Sequence, residues 1–251
     1  MAILFVAAEA AEFKFLAGQL INLRKLKWPI DYAEEGILQG RRILLAANGA
    51  GPALAAQAVE VAKRAVKAAE LSASRLEAIV STGFCGALVS AYRENQIIVG
   101  TEVIDGATGE RYTCGATVEA DCPRGEGPIV SQNRIALNSA EKQTLSECGA
   151  IAVDMESVGV AVQAKRAGLP FCCIKVVSDR VDESFKIDLN AMRTTAGRIA
   201  RGKIVLNAVT HPGLLPELFF LRRRTQEAAK ALGEFLVSCR ISLSGDGSTI
   251  E

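Results

Sequence analysis

Histidine is nearly missing from this chain: there is one, His211, in 251 residues. A Ser–His or Cys–His nucleophilic pair therefore has a single imidazole to draw on, and His211 stands in a His-Pro-Gly turn that reads as a helix connection. Glycine fingerprints are missing as well. No Gly-x-Gly-x-x-Gly or Walker pattern follows the first strand-like run, which argues against a dehydrogenase-like dinucleotide binder. Charge of one sign is not in excess, with Lys+Arg at 29 and Asp+Glu at 28. The one dense basic run, Arg222–Arg224, reads as a solvated helix face, so no nucleic-acid partner is expected. No apolar run approaches the roughly 20 residues of a spanning helix.

Seven cysteines are an odd number, and Cys172 and Cys173 are adjacent. Cys114 and Cys122 lack a second close pair, which leaves zinc unsupported. Met1 leads straight into a strand pattern with no secretory leader, so reduced thiols in a cytoplasmic protein are expected. Neither metal nor organic cofactor is implied. The chemistry falls to carboxylates, Lys/Arg side chains and backbone dipoles.

What is present is an alternation of strand-length apolar runs with longer helical patterns. Strands are expected at Ile3–Ala8, Ile43–Ala47, Ala78–Thr82, Ile97–Val103, Pro128–Ser131 and Phe171–Ser178, and a short one at Ile151–Val153. Helices are expected at Glu12–Leu20, Pro52–Ala69, Asn133–Cys148, Glu156–Ala167 and twice near the C-terminus. Pro52 suits a first helical turn, and Gly168-Leu-Pro170 is a helix stop. The pattern predicts an α/β fold: one domain over residues 1–241, a three-layer sandwich with a central mixed, twisted sheet and helices on both faces. The Ser/Gly-rich stretch 242–251 is expected to be a frayed tail.

Ligand sites in such sheets form beyond the carboxyl ends of the strands. There the chain places Glu9 and Glu12, the loop Gly83-Phe84-Cys85-Gly86, Asp154-Met155-Glu156, and Ser178-Asp179. Three strand ends deliver carboxylates and a fourth delivers exposed backbone N–H groups. That set suits a ribosyl oxocarbenium transition state, where anions stabilise the positive charge, one acid protonates the leaving base and another carboxylate orients the nucleophile. Taken singly, each part has a plainer use: acids at strand ends cap helices, and Asn48-Gly-Ala-Gly51 before a helix turns the chain or binds an anion.

Val153-Asp-Met-Glu-Ser157, Gly168-Leu-Pro-Phe171 and Val177-Ser-Asp179 resemble the signature region of the nucleoside phosphorylase/nucleosidase superfamily. With Ala8-Glu-Ala-Ala-Glu12, Asn48-Gly-Ala-Gly51 and Thr82-Gly-Phe-Cys-Gly86 in order, the chain is most similar to the methylthioadenosine/S-adenosylhomocysteine nucleosidase branch. Its tail, from Asp188 through Leu214–Leu218 to Phe235, resembles hopanoid-associated phosphorylases, which implies adenosylhopane as substrate and adenine as product. Futalosine hydrolase belongs to the same superfamily.

The resemblance implies a role for each site residue. Glu156 would hold the ribose diol over Met155, Asp179 would donate a proton toward purine N7 with Ser178 positioning it, and Glu12 would orient the attacking water. Gly83, Phe84 and Cys85 would line the sugar side. Ile135 falls where an adenine-stacking aromatic is usual, and Lys175 where an arginine is. Both departures fit a site rebuilt around a bulky apolar substituent. Asp179 must hold or share a proton; burial among Ile174, Val176 and Val177 favours its neutral form, and a neighbouring Lys175 the charged one.

Ala7–Glu12 is acidic where phosphorylases carry a phosphate-binding turn, which favours water as nucleophile. Phosphate is the alternative co-substrate, with Arg41 or Arg42 reaching it across a subunit interface. Relatives imply a homo-oligomer. Leu218, Leu221, Ala228, Leu232 and Phe235 recur at helical spacing with Phe219 and Phe220 beside them. That helix either packs on the core or a partner, or forms a lip touching a membrane surface. The rival outside enzymes is a nucleoside-binding regulatory protein.

Overall fold

Eight consecutive apolar residues, Met1–Ala8, open the chain. A strand with no polar alternation must be covered on both faces, and β1 (Ala2–Ala7) is buried at every position. In the computed structural model, residues 1–68, 75–185, 187–191, 193–194 and 215–243 are described. His211, Leu214 and the first of the two expected C-terminal helices lie outside them.

After β1 come a single 3-10 turn (Ala10–Phe13), α1 (Lys14–Gln19), β2 (Ile21–Lys25), β3 (Tyr32–Leu38), β4 (Arg41–Ala47) and α2 (Pro52–Lys67). β5 (Leu76–Ala87), β6 (Ile97–Asp105), β7 (Arg111–Thr113), β8 (Ala116–Glu119) and β9 (Gly125–Ser131) follow. The remainder is α3 (Ser139–Ser146), β10 (Ala152–Asp154), α4 (Ser157–Ala167), β11 (Phe171–Asp179), α5 (Leu215–Ser238) and β12 (Arg240–Leu243). The main sheet runs β10-β9-β6-β11-β5-β1-β4-β3-β2, with β7 beside β6. β1 pairs in parallel with β4 and β5, β5 with β11, and β6 antiparallel to β11, so the sheet is mixed as expected.

Two apolar faces cover it. Val59 and Ala62 of α2 and Val160 and Ala164 of α4 pack against Leu4, Leu44 and Cys173 on one side. Leu16 of α1 and Leu232, Phe235 and Leu236 of α5 pack against Phe5, Leu45 and Ile174 on the other. The three layers are those the sequence predicts. One departure is closure: the far end of β5 also pairs antiparallel with β10, at Ala87 with Ala152 and Gly86 with Val153. Half of the sheet thereby curls into a ring, drawing the ends of β5, β10 and β11 together.

Other expectations are corrected. The helix expected over Asn133–Cys148 forms only at Ser139–Ser146, because Asn138 is its N-cap and accepts from the Glu141 N–H at 2.9 Å. Upstream, Asn190 holds Ile135 by both its N–H (2.8 Å) and its carbonyl (3.0 Å). β12 takes Ser242 and Leu243, the first residues of the expected tail, into a ribbon with β8. Of the two uses expected for the C-terminal helix, core packing holds for Ala228–Leu236, while Phe219 and Phe220 stand exposed.

Candidate active site

Glu12 closes the turn after β1. Its carboxylate accepts from the Glu9 N–H at 2.7 Å and, across the sheet, from the Phe84 N–H at 3.0 Å. Gly83 makes this approach feasible. A Cβ there would lie 2.3 Å from Glu12 Oε1, and the backbone φ is +116°. Glycine alone tolerates both. The glycine loop expected on the sugar side thus first serves Glu12.

Glu156 is the residue before α4, and its Oε1 accepts from the Gly51 N–H at 3.1 Å. The plain capping role falls to its neighbour Asp154, whose Oδ2 accepts from the Ser157 N–H (3.0 Å) and hydroxyl (2.5 Å). Met155, half-buried, sits between the two acids. Behind them lies Lys175. Its ammonium is 0% exposed, 2.7 Å from Asp154 and 3.9 Å from Glu156, and donates to the Thr82 carbonyl at 2.9 Å. Burial works against the ammonium, but the Asp154 and Glu156 carboxylates overturn that and hold its pKa well above the ordinary value. Lys175 is thus a support beneath the site, not a group facing ligand as the resemblance implied.

Asp179 ends β11. Ser178 Oγ lies 2.7 Å from Asp179 Oδ1 and 3.2 Å from the Cys85 carbonyl oxygen. A Cβ at Gly86 would meet Asp179 Oδ2 at 2.8 Å. The cation against Asp179 is not Lys175 but Lys142 of α3, which sequence reading passed over. Cys85 is buried, and burial pushes its thiol well above the ordinary range, so it offers no thiolate. Phe84 packs its ring into the face shared with α1 and α5. Ile135 is half-buried, its backbone tied to Asn190.

The acids are linked through charge and through β5. Burial raises Glu12 to about 7, against backbone N–H groups and Lys175, which lower it. Burial likewise raises Glu156 to about 8, with Lys175 lowering it and the Asp154 and Glu12 charges raising it. Lys175 thus bears on both carboxyl groups, and the Glu12 charge bears on Glu156, within a water-poor interior. Asp179 joins them along Gly83–Gly86, which touches Glu12 at one end and Asp179 at the other.

These shifts carry a pH signature. In the unfolded chain both glutamates ionise near 4.5, whereas in the fold they hold protons to about 7 and 8. Their stabilising contribution is complete below the unfolded value and is lost as pH rises through the folded values. The melting temperature is expected to fall between pH 5 and pH 8. That fall should be much shallower in Glu12→Gln/Glu156→Gln; an unchanged slope in scanning calorimetry would refute the assignment.

A cavity of about 670 Å³ is lined by Gly51, whose N–H donates to Glu156, and by Ala50, Leu54, Asn133, Leu137 and Arg193 among others. Arg193 donates to the carbonyls of Ala50 and Asn133, each at 2.8 Å, tying the segment after β11 to the turn before α2. No sequence signal marks it, since it lies beyond the last motif. Arg41 and Arg42, considered for phosphate, are engaged elsewhere: Arg41 with Glu77 and the Ile241 carbonyl, Arg42 with Glu35. Among the described residues no cluster of His, Cys, Asp and Glu could hold a metal ion, and no helix is long and apolar enough to cross a membrane.

Carboxylates thus stand at the carboxyl ends of β1, β10 and β11, around one closed sheet corner. Residues 107–209 match the profile of the phosphorylase superfamily. A 5'-methylthioadenosine/S-adenosylhomocysteine nucleosidase of Actinobacillus succinogenes is 24% identical over 208 residues, covering 72% of this chain and 87% of that protein. Among solved structures, the Neisseria meningitidis enzyme of that name, in complex with methylthio-immucillin-A, superposes with a TM-score of 0.66 at 19% identity. That alignment covers 94% of this chain and 99% of that one. The futalosine hydrolase of Helicobacter pylori gives 0.64 at 15% identity, over 94% and 97% of the two chains. The fold is that of the methylthioadenosine/S-adenosylhomocysteine nucleosidases.

Proposed function

We propose that this chain hydrolyses the N-glycosidic bond of an adenosine-type nucleoside and releases adenine. The observation that carries the reading is the buried trio Glu12, Glu156 and Asp179 at one corner of the sheet, each held by named hydrogen-bond donors. Glu156 takes the ribose diol, Asp179 faces the purine, and Glu12 orients water on the far side of C1′. As the bond to the base breaks, positive charge builds on the ribosyl ring, where the carboxylates stabilise it. Asp179 supplies the proton that lets adenine leave neutral. Water takes the open carbon, and its proton passes to Glu12, which sits close to neutrality in its acid strength.

Two finer points belong to the same proposal. Water is the nucleophile, because a carboxylate clamped by two N–H groups occupies the place a phosphate would need, and Arg41 and Arg42 are paired elsewhere. The ribose carries a large apolar substituent, with adenosylhopane the candidate; the cavity beside Gly51 supports room for such a group. Adenine release from adenosine derivatives with growing apolar groups on the primary ribose carbon tests both points, run with and without phosphate. Rates should rise with the size of the group and be indifferent to phosphate. A strict phosphate requirement sinks the first point, and a preference for unsubstituted adenosine the second.

A further inference from the structure

Resting on that reading, we propose that Lys142 is the proton source behind Asp179, a positioning residue that acts on the leaving base through that carboxyl group. α3 is a polar helix, and Lys142 is its one buried side chain, with none of its surface exposed. A helix that needs only an anchor uses an apolar side chain, since burying an ammonium costs several kcal/mol unless it is paired. Here the ammonium reaches past the helix to two acceptors at the end of β11, Asp179 Oδ2 and the Arg180 carbonyl. Ser178 Oγ engages the other carboxyl oxygen. The carboxyl group is thus held from both sides, with a proton donor fixed on one of them. Nothing in the roles assigned to Glu12, Glu156 or Lys175 accounts for this second buried lysine.

The step balances as follows. The C1′–N9 bond breaks, and its electron pair enters the purine ring system. N7 gains a proton from Asp179, and Nζ of Lys142 returns one to the carboxylate. The attacking water bonds to C1′ and gives its proton to Glu12. After adenine departs, Glu12 has one proton more and Lys142 one fewer, and solvent restores both.

Lys142→Gln and Lys142→Arg, compared on two substrates, test this. One is an adenosine-type nucleoside; the other is p-nitrophenyl riboside, whose leaving group departs without a proton. Lys142→Gln is expected to lose about 10²-fold in kcat on the first substrate and less than about 3-fold on the second. Lys142→Arg, whose guanidinium keeps its proton, should recover little of the loss; full rescue by arginine would show that only the charge matters and would overturn the relay. Equal losses on both substrates would mean that Lys142 only holds the fold together, and would overturn the proposal. Should Lys142→Gln fail to melt cooperatively, or the riboside go uncut, a proton inventory on the unaltered protein decides. With the transfer from water to Glu12 counted, three transferring protons support the relay, and two or fewer contradict it. If the unaltered protein releases no adenine, the underlying nucleosidase reading has failed instead.

Discussion

Asp179→Asn is expected to lower kcat for adenine release by about 10²- to 10⁴-fold, the usual contribution of a positioned general acid. An asparagine keeps the shape of the side chain and can still accept from Ser178, so nucleoside affinity should change by no more than a few-fold. What it cannot do is carry a transferable proton to N7. The contrast with Glu156→Gln is informative. Glu156 accepts from Gly51, and in the proposed reading it takes the ribose diol, so its neutral replacement should weaken binding and turnover together. Titration calorimetry with single-turnover kinetics separates the two cases. Near-normal turnover in Asp179→Asn would remove this residue from its role.

The second large effect is on stability. Lys175→Met removes the cation that sits between Asp154 and Glu156. All three side chains are at most 6% exposed, so water cannot replace the lost ammonium. Breaking a buried pair by deleting one partner costs about 3–5 kcal/mol. A protein of this size should lose roughly 6–20 °C in melting temperature, taking about 2–4 °C per kcal/mol. Activity should fall too, because Glu156 and Glu12 lose the charge that draws them toward ionisation. A variant that melts within 2 °C of the parent would show that Lys175 is not a keystone of the site.

Much of this arrangement is legible in the amino-acid order. β1 and β11 announce themselves as unbroken apolar runs, and the acids at their ends follow from strand-end placement alone. The match of Ser178 to Asp179 is equally local. The misreadings have physical causes. β2 is exposed along its whole length, so it carries no alternation to detect. Lys142 sits in Ser139–Ser146 among polar residues, where a lysine looks like one more solvated charge. Its burial is decided by the curl that brings β10 and β11 under α3, which no local pattern encodes. Lys175 lies close to Asp179 in sequence, which suggested a pair. In the fold it pairs instead with Asp154, across the strand end that β10 brings alongside β5. Arg193 and Asn190 reach back to residues 133–135 and Ala50 from a stretch with no motif.

Crystallography of Asp179→Asn soaked with an uncleaved adenosine-type nucleoside is the most direct test. The bound molecule should set N7 against residue 179, its two ribose hydroxyls on Glu156, and the far face of C1′ toward Glu12. Density for the nucleoside at any place touching fewer than all three positions would contradict the shared site.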